Sequence, residues 1–437
     1  MNLYQDLEAR GIVKQVTSPL LAKTLEAEKL TLYCGFDPTS DALHVGSLLP
    51  LLTLRRFQQA GHRPIAVVGG ATGMIGDPSG KSQERNLLGE AQLQKNLAGI
   101  QKIIERFLDF TGPAAAKVVN NADWFAGVSF IGFLRDVGKH FTVNHMMAKE
   151  SVRARLEDRE HGISYTEFSY MLLQAYDFKV LHDREGCRLQ IGGSDQWGNI
   201  TAGGELIRRM RAAQETGPVP SEGSEANDVF GLTHPLVAKA DGTKFGKTEQ
   251  GTIWLDAART SPYRFYQFFI QTPDADVGTF LKFFTFLTHE QLAALEASVK
   301  TEPEKRLAQV TLAQEVTRLV HGDAELQRAE AATQALFGAG IRALDEATLL
   351  DVLSGAPGTK KAADALAAGL ALVDLLVETQ LCPSKGQAKK DLAAGGVYVN
   401  NERISDAAAT LKATDLIAGR HLVLRKGKKN YHLVSFG

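Results

Sequence analysis

The sequence predicts an α/β chain: a Rossmann-like doubly wound parallel sheet, then an α-helical domain, then a small α+β tail. Three observations predict it. From about residue 30 to 210, strand-like apolar runs alternate with longer helical runs, the pattern of a parallel sheet covered by helices. From 262 to about 336 the pattern is helical, as in "PEKRLAQVTLAQEVTRLVHG". Beyond the Gly/Pro-containing "LLDVLSGAPGTKK", a segment of mixed pattern runs to residue 437.

In chain order, "TLYCGF", "PIAVVGG", "AKVVNN" and "CRLQIGG" read as strands. "LLPLLTLRRFQQAG", "EAQLQKNLAGIQKIIERFLDF", "SFIGFLRDVG" and "TEFSYMLLQAYDF" read as helices. "ETGPVPSEGSEAND" is a Pro/Gly/Ser-rich acidic loop, after which "VFGLTHPLVA" re-enters a sheet and leads into "KADGTKFGKTEQG". The boundaries expected are 1–225 for the sheet domain, 226–260 for a loop region completing its site, 261–340 for the helical domain, 341–367 for a linker and 368–437 for the tail.

Composition narrows the class. The 437 residues are 44% hydrophobic with a net charge of −1, which argues against a globally basic nucleic-acid coat. The three cysteines are far apart and form no CxxC, so neither a zinc site nor a disulfide framework is signalled. No apolar run reaches membrane-spanning length. The opening "MNLYQDLEARG" is amphipathic and carries acids, unlike a leader peptide. A soluble cytoplasmic protein is expected, without a membrane partner.

"FDPTSDALHVGS", residues 36–47, follows the first strand, at the strand end where a doubly wound sheet binds ligands. A helix start at Gly46-Ser47 offers unpaired amides to an anion, and Thr39 and His44 are candidate donors to phosphate. The plainer reading is that His44 caps the helix and Thr39 makes a turn. About 200 residues downstream, "KFGKT" places Lys244 and Lys247 three apart in a glycine-bearing loop. Alone they are solvated charge. Paired with the upstream HxGx they form a phosphate clamp that meets a leaving pyrophosphate.

His44-Val45-Gly46-Ser47 resembles the HIGH motif, and Lys244 to Thr248 the KMSKS motif, of class I aminoacyl-tRNA synthetases. With "YCGFDPTSDALHVG", "GGATGMIGDPSGK", "YTEFSYMLLQAYDF" and "QIGGSDQWGNI", nearly the whole chain resembles the bacterial tyrosyl-tRNA synthetases. Ser47 departs from the histidine or asparagine usual at the fourth HIGH position. The resemblance implies activation of L-tyrosine by ATP, accompanied by Mg²⁺, then transfer to tRNA(Tyr), by a homodimer. No dedicated protein cage for a metal is visible.

The chemistry agrees. A carboxylate attacking the α-phosphorus of ATP is already ionised at neutral pH, so no general base is required. Positioning and charge remain, for which the candidates are Thr39, His44, Lys81, Arg85, Lys244, Lys247 and Thr248. On "SYMLLQAYD", Tyr170, Gln174 and Asp177 fall at i, i+4 and i+7, one helical stripe. Facing inward, that stripe suits an ammonium, helped by Asp77, and a hydroxyl; facing outward it is an ordinary solvated face. By resemblance, Tyr33 and Asp177 hold the substrate phenol. Asn121 lies near the tyrosine, Gln196 near the aminoacyl group and Cys34 near the ribose. Asp37, Gly46 and Ser47 are likewise assigned to ATP. Gly193 permits close approach at its strand end, and Asp195 is placed to accept from ribose hydroxyls.

The tail, 368–437, holds ten Lys/Arg and six Asp/Glu. "LVETQLCPSKGQAKKDLAAGGVYVNNERIS" resembles an S4-type RNA-binding domain, with Lys385, Lys389 and Lys390 on or near one helix and "GVYVNNERIS" a hairpin. Arg208 and Arg209 match acceptor-stem contacts, and Lys149 is a further candidate. The rivals are the tryptophan enzyme, another HIGH-type nucleotidyltransferase, and an RNA-binding protein without catalysis. Asp177 with Tyr33, together with the S4-like tail, opposes the first two, and the intact KFGKT and GDPSGK segments oppose the third.

Overall fold

The computed structural model describes residues 1–79, 89–149, 152–153, 156, 162–215, 218–221, 223–224, 227–243, 245–248, 251–337, 339–366, 369–427 and 430–437. They form two compact units: 1–259 with 272–312, and 260–271 with 313–437.

The first unit is built on a sheet of β1 (Gln15–Val16), β2 (Thr31–Phe36), β3 (Arg63–Val68), β4 (Lys117–Asn120), β5 (Cys187–Gly193) and β6 (Phe230–His234). The strand order is β1-β6-β5-β2-β3-β4, parallel except for β1, which runs antiparallel to β6. β2 and β3 are apolar almost throughout and buried, as a sheet covered on both sides requires. The chain moves outward from β2 to β3 and β4, then returns to lay β5 on the other side of β2. That reversal opens a crevice at the carboxyl ends of β2 and β5.

The helix Leu48–Gln59 leads away from the crevice and buries six large apolar side chains. The helix Tyr165–Glu185 starts at Ser164, whose side chain accepts from the Glu167 amide, and ends at Gly186 with φ 61°. It runs two turns beyond the expected end at Phe178. Tyr170 and Asp177 are buried on it with Met171, Leu172, Ala175 and Phe178, so the polar stripe faces inward. A small hairpin, β7 (Lys247–Thr248) with β8 (Gly251–Thr252), follows β6.

The second unit carries a five-stranded sheet ordered β12-β11-β14-β15-β9. Its members are β9 (Gly358–Lys361), β11 (Val397–Val399), β12 (Glu402–Ile404), β14 (His421–Lys426) and β15 (Asn430–Phe436), beside the pair β10 (Leu370–Ala371) and β13 (Thr410–Leu411). The expected hairpin turns at Asn400 and Asn401, both at positive φ. Two boundaries differ from expectation. The helical stretch does not cluster by itself: 272–312 belongs with the first unit, its flanks with the second. The stretch expected as a linker is largely folded. Ile341, Leu349 and Leu353 are buried with Ile417 and Val423, and β9 adds a strand parallel to β15. Its Gly355, Pro357 and Gly358 are exposed where a turn leads into β9, so they reverse the chain at the surface of one unit rather than between two.

Candidate active site

The crevice encloses a cavity of about 330 Å³. One continuous hydrogen-bond chain forms its deep wall. Asp37, just past β2, accepts from Thr72 Oγ1 and Tyr170 Oη, both at 2.9 Å. Gly69 makes room for this carboxylate, since a Cβ there would lie 2.2 Å from Asp37 Oδ1. Thr72 Oγ1 accepts from Asn121 Nδ2 at 2.9 Å, and Asn121 Oδ1 accepts from the Ala71 amide at 2.7 Å. Asp177 then accepts from Asn121 Nδ2 at 3.1 Å and from Trp124 Nε1 at 2.8 Å. Burial pushes the Asp177 carboxyl up to about 7, against the pull of those two donors, and the Asp37 charge adds to the rise.

Tyr33, on β2, lines the same cavity and is 1% exposed. Among the described residues its hydroxyl has no hydrogen-bond partner. Burial, with the Asp177 charge next, holds its pKa well above the usual phenol value, so the hydroxyl keeps its proton. A buried hydroxyl left unpaired costs about 1–3 kcal/mol. Such a group in a cavity wall marks where a ligand atom belongs.

On the β5 side, Gln196 donates to Asp77 Oδ2 at 2.6 Å, and Asp77 Oδ1 accepts from the Ser79 amide at 2.9 Å. Asn199 Nδ2 lies 3.1 Å from both Gln174 Oε1 and Gln196 Oε1. Burial and the neighbouring Asp77 charge raise the Asp195 carboxyl. Four carboxylates, Asp37, Asp77, Asp177 and Asp195, thus line one cavity. Asp37, grouped with the nucleotide residues by resemblance, also accepts from Tyr170 of the helical stripe. Gly193 also lines it. Cys34 is a wall residue: burial pushes its thiol up to about 12, with Asp195 adding, so it is no thiolate at neutral pH.

Thr39, His44, Gly46 and Ser47 line the opposite rim. His44 caps the turn Val45–Ser47, its Nδ1 accepting from the Gly46 amide at 2.9 Å. An imidazole that accepts at Nδ1 carries its proton on Nε2. One tautomer therefore serves both readings of His44, cap and donor. The loop with the second motif is tied to this rim. The Val45 amide donates to Ile253 O at 3.0 Å, and the Leu255 amide donates to Leu43 O at 2.8 Å. Gly246, at φ +79°, packs where a Cβ would lie 2.4 Å from Val45 Cγ2. Phe245 is buried against Phe280 and Phe284, with ring centroids 4.7 and 5.3 Å away. Lys247 and Thr248 form the exposed β7 and are not part of the cavity wall. Lys81, Arg85 and Lys244 lie outside the described residues.

The RNA candidates are spread out. Lys149 donates to Thr201 Oγ1 at 2.9 Å. Arg208 is 7% exposed, so of the adjacent pair Arg209 has the greater reach, although it pairs with Glu205. Lys385 pairs with Asp374 at 2.7 Å, and Lys389 and Lys390 are exposed on the helix Lys385–Ala393. Thr72, Trp124 and Asn199 were not legible as site residues. Two of them, Thr72 and Asn199, stood in sequences already of interest, "GGATGMIGDPSGK" and "QIGGSDQWGNI", without a spacing that linked them to the helical stripe.

Comparison with known proteins agrees with this geometry. The family described as tRNA synthetases class I (W and Y) matches residues 25–338, and the tyrosine–tRNA ligase SYY-like C-terminal domain matches 352–434. The tyrosine–tRNA ligase of Geobacillus stearothermophilus is 53% identical over 439 residues, covering 100% of each chain. Tyrosine–tRNA ligase 1 of Bacillus subtilis (strain 168) is 52% identical, covering 100% of this chain and 99% of its own. Among solved structures, a C-terminally truncated mitochondrial tyrosyl-tRNA synthetase from Aspergillus nidulans superimposes with a TM-score of 0.68 at 29% identity. It covers 77% of this chain and 94% of its own. The inward stripe, the capping His44 and the rim-tied loop therefore belong to a chain that is a member of the class I aminoacyl-tRNA synthetases and, within them, of the tyrosine–tRNA ligases.

Proposed function

We propose that the phenol of L-tyrosine sits between Tyr33 and Asp177, with its ammonium near Tyr170, Gln174 and Asp77 and Asn121 supporting the ring end. The unpartnered Tyr33 hydroxyl beside Asp177 is the observation that carries this reading. A phenol oxygen supplies both what Tyr33 lacks, an acceptor, and what Asp177 takes, a donor. Phenylalanine would leave both groups buried and unpaired. Tyrosyl-tRNA synthetases are themselves the standard example of rejecting an analogue that lacks a hydroxyl, so the size of that discrimination belongs to the enzyme class and is not a result of this cavity's geometry.

The substrate carboxylate then attacks the α-phosphorus of ATP. A P–O bond to pyrophosphate breaks and tyrosyl-adenylate forms. Thr39 and His44 Nε2–H donate to phosphate oxygens from the rim, where Gly46 and Ser47 keep the backbone close. Lys244, Lys247 and Thr248, with Lys81 and Arg85, meet the pyrophosphate as its charge develops. Gly193 and Asp195 receive the ribose beside Cys34, and Gln196 steadies the acyl group. Mg²⁺ belongs with the ATP phosphates as part of that substrate. Among the described residues no three His, Cys, Asp or Glu side chains converge to hold an ion. In the second step a terminal ribose hydroxyl of tRNA(Tyr) attacks the acyl carbon and AMP leaves. Lys149, Arg208 and Arg209 are assigned to the acceptor end, and Lys385, Lys389 and Lys390 to RNA held by the tail.

A homodimer is part of this reading. Phe130, Ile131, Val143 and Met147 are exposed apolar residues on the helices Phe130–Asp136 and Val143–Met147, 63%, 71%, 59% and 44% accessible, apolar surface that a second copy would cover. The cytoplasm, where translation occurs, is the proposed compartment. The test is amino-acid-dependent exchange of pyrophosphate into ATP. Tyrosine is expected to support it, with phenylalanine and tryptophan far behind, and Tyr33→Phe to narrow the gap with phenylalanine. Equal exchange with all three amino acids would overturn the reading.

A further inference from the structure

A row of four side chains crosses the sheet of the second unit. Arg403 on β12 stands opposite Tyr398 on β11, Tyr398 opposite Arg425 on β14, and Arg425 opposite Tyr431 on β15. Cross-strand partners share a face, so four adjacent strands present Arg–Tyr–Arg–Tyr. The members stack on one another. The Arg425 guanidinium is 3.8 Å from the Tyr398 ring centroid and 5.7 Å from that of Tyr431. Arg403 is 5.7 Å from the Tyr398 ring and donates to its hydroxyl at 3.3 Å. These are cation–π distances.

The row lies away from the main core of this sheet. The alternate residues Val397, Val399, Leu422, Leu424 and Val434 are buried on the other face, together with Ala388 and Leu392 of the helix Lys385–Ala393. Lys389 and Lys390 therefore lie on one side of the sheet and the row on the other. Tyr431 closes one end of the row against the cluster of Ile341, Leu349 and Leu353. At the other end Arg403 is exposed, with Tyr398 and Arg425 half-buried between. Among the described residues neither Arg403 nor Arg425 has a carboxylate partner, and the adjacent Glu402 is taken by Arg342 at 3.1 Å. Two unneutralised guanidiniums framing an aromatic ring suit a polyanion that also carries flat rings. Single-stranded RNA has both, bases for the planes and phosphates for the cations. An acidic peptide would use the charge and leave the planes idle.

We propose that the Arg403–Tyr398–Arg425–Tyr431 row is a stacking platform for an unpaired nucleotide of bound RNA, its flanking phosphates held by the two arginines. The proposal rests on the tRNA reading above and adds a second RNA-facing surface to it. The full chain is tested with tRNA(Tyr) transcript, measuring tRNA affinity, its salt dependence, tyrosyl-adenylate formation and thermal midpoint. Tyr398→Leu is expected to weaken tRNA binding roughly tenfold. Tyr398→Trp, which keeps a flat ring, is expected to retain it. Arg403→Gln with Arg425→Gln should reduce the slope of log affinity against log salt by about two. Adenylate formation should be unchanged in all three. Should Tyr398→Leu not fold, the Trp and paired Gln variants still decide. The proposal is overturned if Leu and Trp lose binding alike, if the paired Gln variant keeps the wild-type slope, or if poly-glutamate displaces the RNA as well as competing RNA does. It is also overturned if Lys389→Gln with Lys390→Gln abolishes binding while the row variants leave it intact. A wild-type chain that forms adenylate but charges no tRNA would instead overturn the underlying tRNA reading, and the proposal with it.

Discussion

Asp177 has both carboxylate oxygens engaged by donors, yet its pKa stands at about 7 because burial outweighs them. A carboxyl raised in the folded state contributes stability that is complete below its ordinary value near 4 and lost as pH rises through 7. A phenol donating to Asp177 favours the ionised form. Tyrosine affinity should therefore rise between about pH 6 and 8 while the thermal midpoint of the free protein falls. Asp177→Asn should flatten both profiles. Tyrosine affinity that does not change with pH would take Asp177 away from the phenol. Tyr170, Gln174 and Asp177 were legible because one helix supplies all three at i, i+4 and i+7. Trp124, 53 residues away from Asp177 along the chain, was not, because only tertiary contact joins them. Nor does spacing tell that Asp37 bonds to Tyr170, 133 residues on.

Strand runs of six or seven residues, such as β2 and β5, carry their own pattern and were readable end to end. β1, with two residues, has no period to read, and its place beside β6 is a product of the finished sheet. The loop after β6 shows the same limit. Its lysines were visible, but its fastening to the rim was not, since Phe245 is an ordinary aromatic until Phe280 and Phe284 surround it. That fastening yields a test. Gly246→Ala puts a Cβ 2.4 Å from Val45 Cγ2 at a φ of +79°, a conformation that costs a non-glycine residue roughly 1–2 kcal/mol before any clash. It should slow adenylate formation at least tenfold and leave tyrosine affinity within about twofold. Adding Val45→Ala removes the clashing methyl and should recover part of the rate. No recovery would mean that the backbone conformation alone sets the loop.

At the scale of the whole molecule, the Gly/Pro stretch at 355–358 looked like a boundary in the sequence, but the second unit uses it. A chain ending near Lys360 would keep Ile341, Leu349 and Leu353 while losing Ile417 and Val423, the residues that bury them. Large apolar side chains left uncovered cost about 1.5–3 kcal/mol each. A chain ending at Phe337 leaves them out. Both truncations should form tyrosyl-adenylate, because every cavity residue lies in the first unit. Both should fail to charge tRNA. The longer one should melt earlier and aggregate more, as followed by light scattering during a thermal ramp. A longer chain that proves the more robust would return 341–360 to the status of a tether.

The ring of Asp37, Asp77, Asp177 and Asp195 has a consequence for the order in which substrates arrive. An empty cavity presents like charge to a triphosphate, and like charges in a poorly hydrated cleft repel strongly. The ammonium of the amino acid cancels part of that field. Tyrosine should therefore open the way for ATP, and by reciprocity bound nucleotide should tighten tyrosine binding by the same factor. Equilibrium binding of a non-hydrolysable ATP analogue should tighten roughly tenfold or more when tyrosine is present. Tyrosinol, which keeps the ammonium and lacks the carboxylate, should work at least as well. Phenol-bearing compounds without an amine should not. An analogue that binds equally well with and without tyrosine would show that the acidic ring governs the amino acid alone.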